Sequence, residues 1–512
     1  MNTSGATFGV AVIGAGFGGI AAGAELIRRG FDRSEDLLVL ESAREVGGVW
    51  RENVYPDCAC DVDAHLYSFS FAPNPEWSTN FAPQAEILAY AEQVASSTGV
   101  ADRIRFEQQV RRMEWDAERR AWSVHTESGE VFSAEHVISA VGQLNRPAFP
   151  RLPGMEDFRG PMVHTAQWDP SLDVTGKRVL VVGAGASAIQ VVPWMVPRAS
   201  QTITLVRTAP YVMPKPQEWY AEEDRARFRS DPGLLAQDRA RLNDEWNRSA
   251  HAQSVMDEEF LSTAERTWRE HMESAVADEE LRRILTPDYR FGCRRPVVSN
   301  DYYPALADPR TTVIASGAAR FTERGVITED GQEIEVDIVV LATGFLATDI
   351  LGGIEVRGSD GQLLSQKWQS GPAAYQGTLV PGFPNFYVLY GPNTQVSGSI
   401  IGILEAQAEY VVKCIEASRA NRAPVDVTEA AFDRYNDELD RALGASVFVQ
   451  GGCQSFYRMG GSGRVVVKWP GSLERFEQML AEPSLADLGL EPAEAPRSRP
   501  SRSGSSSRAS PV

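Results

Sequence analysis

Glu41 and Arg207 hold equivalent places in two copies of one pattern, and their opposite charges assign different ligands to the two copies. In the first copy the apolar run Val10–Ile13 leads into Gly14, Gly16 and Gly19, then into the Ala- and Leu-rich stretch Ile20–Arg29. Gly14 permits a tight turn, Gly16 lets backbone N–H groups approach a pyrophosphate, and Gly19 lets the helix pack on the strand. The phosphates would sit at the helix N-terminus, where free N–H groups and the dipole favour anions. The next apolar run, Leu37–Leu40, ends at Glu41, about 20 residues past the turn, where a carboxylate accepts from ribose hydroxyls. In the second copy Val179–Val182 leads into Gly183, Gly185 and Ala188, and the following run, Thr202–Val206, ends in Arg207. A carboxylate there would repel a 2′-phosphate, whereas a guanidinium binds it with charge-assisted hydrogen bonds. The first cradle therefore reads as a site for FAD or NAD, and the second as a site for NADPH.

Two cradles imply two reactive rings that must be brought together. Between the cradles lies Phe158–Asp169, F-R-G-P-M-V-H-T-A-Q-W-D, carrying His164 and Trp168. Spacing alone favours reading these as hinge packing, with His164 a hydrogen-bonded loop residue, over a role in coordination. Gly47-Gly48-Val49-Trp50, Tyr55-Pro56 and Asp61 form a loop that continues into Tyr67-Ser68-Phe69. Asp61 reads equally well as a functional carboxylate and as a turn residue or helix cap. Cys58-Ala59-Cys60 lacks the spacing of a redox C-x-x-C pair.

The expected fold is α/β, with two Rossmann-like dinucleotide-binding domains and a helical insertion. Alternating patterns in Ile104–Val110, Trp115–Thr126 and Val131–Phe132 predict a β-meander, Val137–Val141 a buried strand, and Pro83–Ser97 an amphipathic helix. The proline-rich Arg146–Pro153 marks the first boundary. This gives an FAD-binding domain over 1–145 and 335–490, split by an NADPH-binding domain over 146–334 whose helical insertion covers about 217–288. The buried run Ile338–Leu341 is expected to complete the first sheet, and 491–512, rich in Pro, Arg and Ser, to be disordered.

At 512 residues the chain exceeds the usual size of one core. Its net charge of −19 argues against nucleic acid, whose binding rests on Lys and Arg neutralising phosphates. Five cysteines without zinc spacing fit a reducing compartment. The apolar start Phe8–Ile27 lacks a basic flank and places its glycines where a phosphate turn needs them, so it is not read as a signal peptide. No uncharged run approaches the ~18 residues that span a bilayer. A cytoplasmic protein is expected, with no metal, membrane or obligate protein partner.

With these features together, the chain resembles the type I Baeyer–Villiger monooxygenases, members of the class B flavoprotein monooxygenases. The connector matches that family's F-x-G-x-x-x-H-x-x-x-W-[P/D] fingerprint through Phe158, Gly160, His164, Trp168 and Asp169. The resemblance covers about residues 8–480. It implies FAD contacts at Gly14, Gly16, Phe17, Gly19, Glu41, Val49, Trp50, Asp61 and Tyr67, with Val110 on the adenine side. It implies NADP contacts at Ala59, Cys60, Asp61, Gly183, Ala184, Gly185, Ala186, Ser187, Ala188, Ile189, Gln190, Arg207, Thr208 and Arg294. Arg295 matches the arginine over the flavin, with Asp61 orienting it, and His164 and Trp168 fall in the catalytic set. The implied activity is NADPH- and O2-dependent conversion of a ketone to an ester or lactone through an anionic flavin C4a-peroxide. Two departures, Asp57 after Tyr-Pro and Phe456 within Ser455-Phe456-Tyr457, touch the substrate pocket and lid. The alternatives are a class B N- or S-oxygenase and a non-oxygenating NADPH-dependent flavin reductase.

Overall fold

The computed structural model describes residues 7–490, so the tail expected at 491–512 lies outside the described residues. Two parallel-centred sheets carry the two cradles. In the first, strand Thr7–Ile13 sits between Leu37–Leu40 and Val131–Ser139, parallel to both, with Val12 beside Val39 and Ile138. These strands are apolar on both faces because both are covered, and Val10, Ala11 and Val12 are fully buried. A meander is present with other bounds than expected: Val110–Asp116, Ala121–Thr126 and Val131–Ser139 pair antiparallel, while Ile104–Arg105 lies at the far edge of the sheet, parallel to Leu37–Leu40. The stretches expected as separate strands at 131–132 and 137–141 are one strand, which alternates where the meander leaves one face open and becomes continuously buried beside Thr7–Ile13.

The second sheet has the order Thr311–Ile314, Gln201–Leu205, Arg178–Val182, Ile338–Leu341, Met162–His164, all parallel. Here an expectation is corrected. Ile338–Leu341 joins this sheet, pairing Leu341 with both Val182 and His164. A buried apolar run does not encode its partner; its neighbourhood does. The antiparallel strands Ala318–Thr322, Gly325–Thr328 and Glu333–Glu335 precede it on this domain, and Asp337 accepts from the Arg178 N–H at 2.8 Å. The chain rejoins the first sheet through Glu355–Arg357, beside Val110–Asp116, and Phe386–Val388, beside Val131–Ser139.

The outgoing and returning crossovers run against each other. Pro147 bridges Phe345, the Ala148 N–H donates to the Gly344 carbonyl at 2.8 Å, and the Thr343 hydroxyl donates to the Ala148 carbonyl at 2.7 Å. The insertion is helical as expected, with helices Glu222–Ser230, Pro232–Val255, Glu258–Ala275 and Glu279–Ile284. Cys58, Cys60 and Cys414 are buried thiols, but Cys293 and Cys453 form a disulfide, which corrects the reading of the cysteines as uniformly reduced. Their 160-residue separation hid the pair from spacing arguments. None of the described helices is long and apolar enough to cross a membrane.

Candidate active site between two nucleotide cradles

The first cradle is shaped for a nucleotide by its backbone. A Cβ on Gly19 would lie 1.9 Å from the Gly14 carbonyl oxygen, so only glycine lets helix Phe17–Arg28 start this close to the turn. Glu41 closes strand Leu37–Leu40 and is buried. Its carboxylate accepts from the Ala15 N–H at 2.7 Å and the Ala43 N–H at 2.9 Å, and Arg51 approaches at 3.4 Å. Oε2 takes only the Ala15 bond and keeps an acceptor position. An open cleft lined by Ser42, Ala43, Arg44, Arg51 and Gln109 lies beside it. This arrangement fits an adenosine with free ribose hydroxyls. Val110 is buried in the sheet behind that cleft, and its neighbour Gln109 reaches the wall. Val49 opens the short helix Val49–Glu52, and Trp50 donates from its indole to the Tyr67 hydroxyl at 3.0 Å. Phe17 is buried against Tyr67 and Phe69, so its side chain serves the core.

In the second cradle Gly183 adopts φ +115°, and a Cβ there would meet the Ala342 carbonyl oxygen at 2.4 Å. Gly185 has open space around it, and Ala184 and Ala186 flank it at the start of helix Ala186–Met195. Ala188 and Ile189 turn inward and are buried, so they can offer a ligand only backbone. Arg207 is exposed next to Thr208, at the end of Gln201–Leu205. Its charge is felt by Arg294, whose guanidinium donates to the Gln454 carbonyl at 2.6 Å and lies over the Tyr289 ring. Burial, above all, lowers the Arg294 pKa, and the Arg207 charge adds to the effect. Among the described residues neither arginine has a carboxylate ion-pair partner. Two unpaired guanidiniums at the cradle's acidic-ligand end fit a 2′-phosphate.

One side chain joins the cradles. Gln190 accepts from the Tyr55 hydroxyl at 2.8 Å and donates to the Ala59 carbonyl at 2.9 Å. Ala59, Cys60 and Asp61 thus sit against the second cradle while belonging to the first. Burial pushes the Cys60 thiol up strongly, which keeps it protonated and unreactive. Asp57 takes a left-handed φ of 59° at an exposed turn position that Asp tolerates better than most residues, so this departure fits the turn.

Asp61 and Arg295 come together from distant parts of the chain. Two contacts join them, Nη2 to Oδ1 at 2.5 Å and Nε to Oδ2 at 3.3 Å. This two-pronged geometry fixes the guanidinium plane. The Asp61 carboxylate raises the already high Arg295 pKa, against the opposing effect of burial. Tyr390 and Tyr457 also face Arg295, and burial pushes the Tyr390 hydroxyl up to about 12.

His164 and Trp168 are placed differently from the catalytic set in which they were expected. His164 ends the edge strand Met162–His164, accepts through Nδ1 from the Ala166 N–H at 3.1 Å, and packs against Phe149 and Phe345. Burial lowers its pKa, so it is neutral. Trp168 is buried edge-on against Trp194. Neither shares a hydrogen bond or ring contact with the Asp61–Arg295 pair. Both sit where the connector meets the second sheet, which is the packing role that spacing favoured.

Sequence reading missed Tyr390 and Lys468 and named Tyr457 only as part of the lid; Lys468 is buried, and the Arg295 charge reaches it. A signal for Lys468 existed. It is a charge set between the apolar run Val465–Val467 and Trp469.

A family model described as "Flavin-binding monooxygenase-like" matches residues 8–441. The chain is 39% identical over 501 residues to a Baeyer-Villiger monooxygenase of Streptomyces coelicolor, covering 95% of each chain. It also resembles a solved structure of oxidized steroid monooxygenase bound to NADP, with a TM-score of 0.82, 29% identity and coverage of 94% of this chain and 98% of that one. A structure of OTEMO in complex with FAD and NADP gives a TM-score of 0.82 at 25% identity, covering 93% and 97%.

Proposed function

The chain belongs to the flavin-binding monooxygenase-like family, and from that premise we propose that it is a Baeyer–Villiger monooxygenase, using FAD, NADPH and O2 to convert a ketone to an ester or lactone. The observation that carries this reading is the Asp61–Arg295 pair, set where Gln190 joins the two cradles. Bound FAD would supply the two-electron chemistry by which NADPH is oxidised and one atom of O2 is inserted beside the carbonyl, the other leaving as water.

The chain's own residues supply binding, orientation and charge. Gly14–Gly19, Glu41, Trp50 and Tyr67 would hold FAD, with Glu41 reading the ribose. Gly183–Gln190 would hold the NADPH pyrophosphate, and Arg207 and Arg294 its 2′-phosphate. Arg295 cannot lose its proton, so it is a permanent cation where negative charge gathers on oxygen as the carbonyl is attacked. Asp61 positions it. Heteroatom oxidation, the main alternative, needs the oxygen donor protonated and gains nothing from a fixed cation there. His164 and Trp168 would act by positioning the connector. The same reading places the reaction in the cytoplasm, where NADPH is kept reduced; cell fractionation that put the enzyme outside the cytoplasm would contradict this.

The test is 18O2 labelling across a panel of ketones together with amines and sulfides. One labelled atom in the ester or lactone, with one NADPH consumed per product, is expected. Labelled N- or S-oxides with no ester would overturn the reading, and so would NADPH oxidation without oxygen incorporation.

A further inference from the structure

Lys468 is the one lysine among the buried charged residues described, and it stands without a counter-ion. The others are paired: Asp36 with Arg33 and Glu41 with Arg51. Lys468 Nζ has one hydrogen-bond contact, a long one of 3.5 Å to the Ser397 hydroxyl. Its ammonium lies over two aromatic faces, 5.0 Å from the Phe448 ring centroid and 5.3 Å from that of Tyr457. Aromatic faces return only part of the hydration that a buried ammonium loses. The residue is held in this position from both sides of the site. Its backbone bridges Gln395, its carbonyl accepts from the Asn393 amide at 3.1 Å, and Ser397 in turn lies 3.3 Å from Gln253 of the helical insertion.

Lys468 also faces the reacting region. Its ammonium lies over the Tyr457 ring, and the Arg295 charge acts on both Tyr457 and Lys468. Arg295 is ion-paired to Asp61, whereas Lys468 has no carboxylate partner among the described residues. A buried cation beside a binding site, with no carboxylate partner among the described residues, is suited to an anion from the ligand.

We propose that Lys468 is the counter-ion for an anionic substituent of the substrate, so that the preferred ketones carry a carboxylate or a comparably acidic group. This rests on the ketone reading above and names the substrate class of the same site. Ser397 is the neutral donor beside it. The ionisable groups around Lys468 are Arg295 and Tyr457, with Asp61 and Tyr390 beyond Arg295. Arg295 stays charged and burial holds both tyrosines protonated, so Lys468 is the group that titrates near neutrality. Burial first, and the Arg295 charge second, push it down to about 7. The anion should therefore bind best below pH 7 and lose affinity by up to about tenfold per pH unit above it.

The experiment compares 6-oxoheptanoate with its methyl ester on the FAD-loaded enzyme, by equilibrium binding and by turnover. At pH 6.5 the acid should bind at least tenfold tighter than the ester, and this preference should fall as pH rises to 8.5. In Lys468→Met the acid-to-ester ratio should drop to about one, while Lys468→Arg should keep a preference for the acid without the fall near pH 7. Equal binding of acid and ester by the natural protein, at both pH values, would overturn the proposal without any variant. A preference that survives in Lys468→Met would overturn it as well, and so would borohydride trapping of the ketone on Lys468, which would make the residue a nucleophile. If acid binding follows Lys468 but no ketone yields ester, the counter-ion stands and the ketone reading fails.

Discussion

At the scale of single residues the account turns on unpaired charge. Among the described residues Arg207 and Arg294 lack carboxylate partners, and a 2′-phosphate would supply an anion. Charged hydrogen bonds contribute about 1.5–3 kcal/mol each. Arg207→Ala should therefore raise KM for NADPH by about ten- to a hundredfold and leave KM for NADH nearly unchanged. An equal rise for both cofactors would remove Arg207 from the 2′-phosphate site. Lys468 makes a second prediction, on stability. Its folded pKa of about 7 lies below its ordinary value of 10.5, so between these values the folded chain holds fewer protons than the unfolded chain. The cost of burying it is full below pH 7 and is relieved as pH rises toward 10.5. Lys468→Met should raise Tm at pH 6.5 and give little gain near pH 10. A gain independent of pH would mean the lysine is not held with a lowered pKa.

At the scale of elements, strand–turn–helix units do the positioning, and their glycines were legible because the backbone leaves no choice. Gly19→Ala would force a Cβ against the Gly14 carbonyl, and the protein should purify with little flavin, read from its visible absorbance against protein content. Full FAD occupancy in that variant would contradict the close approach. Gln190 ties the second cradle's helix to Tyr55 and Ala59. Gln190→Ala should leave FAD bound but let NADPH oxidation run ahead of product, with hydrogen peroxide as the excess. Tight coupling in this variant would show that the bridge does not align the two rings. What remained illegible was long-range. Ile338–Leu341 is equally apolar on either sheet, and only the preceding antiparallel strands and the Asp337–Arg178 contact assign it to the second. The Cys293–Cys453 bond and the burial of Lys468 arise in the same way, from segments far apart in the chain.

At the scale of the whole molecule, two nucleotide domains joined by paired crossovers deliver Asp61 from one and Arg295 from the other to a single point. The glycine motifs disclosed both cradles, whereas the acid–arginine pairing followed only from the family resemblance. The tyrosines that face Arg295 come from the loop after Phe386–Val388, which no short motif announced, and from the C-terminal Ser455-Phe456-Tyr457 stretch, which the resemblance marked as the lid. The central claim is that a fixed cation at that point makes ester formation possible. Loss of one such donor costs about 10²–10³ in rate. The most direct measurement is ester formed per NADPH consumed by Arg295→Ala, with its FAD content checked, against the natural protein. The account predicts that the variant keeps FAD, still oxidises NADPH, and loses ester formation by at least that factor, with Asp61→Ala in between. Ester yield from Arg295→Ala equal to that of the natural protein would contradict it.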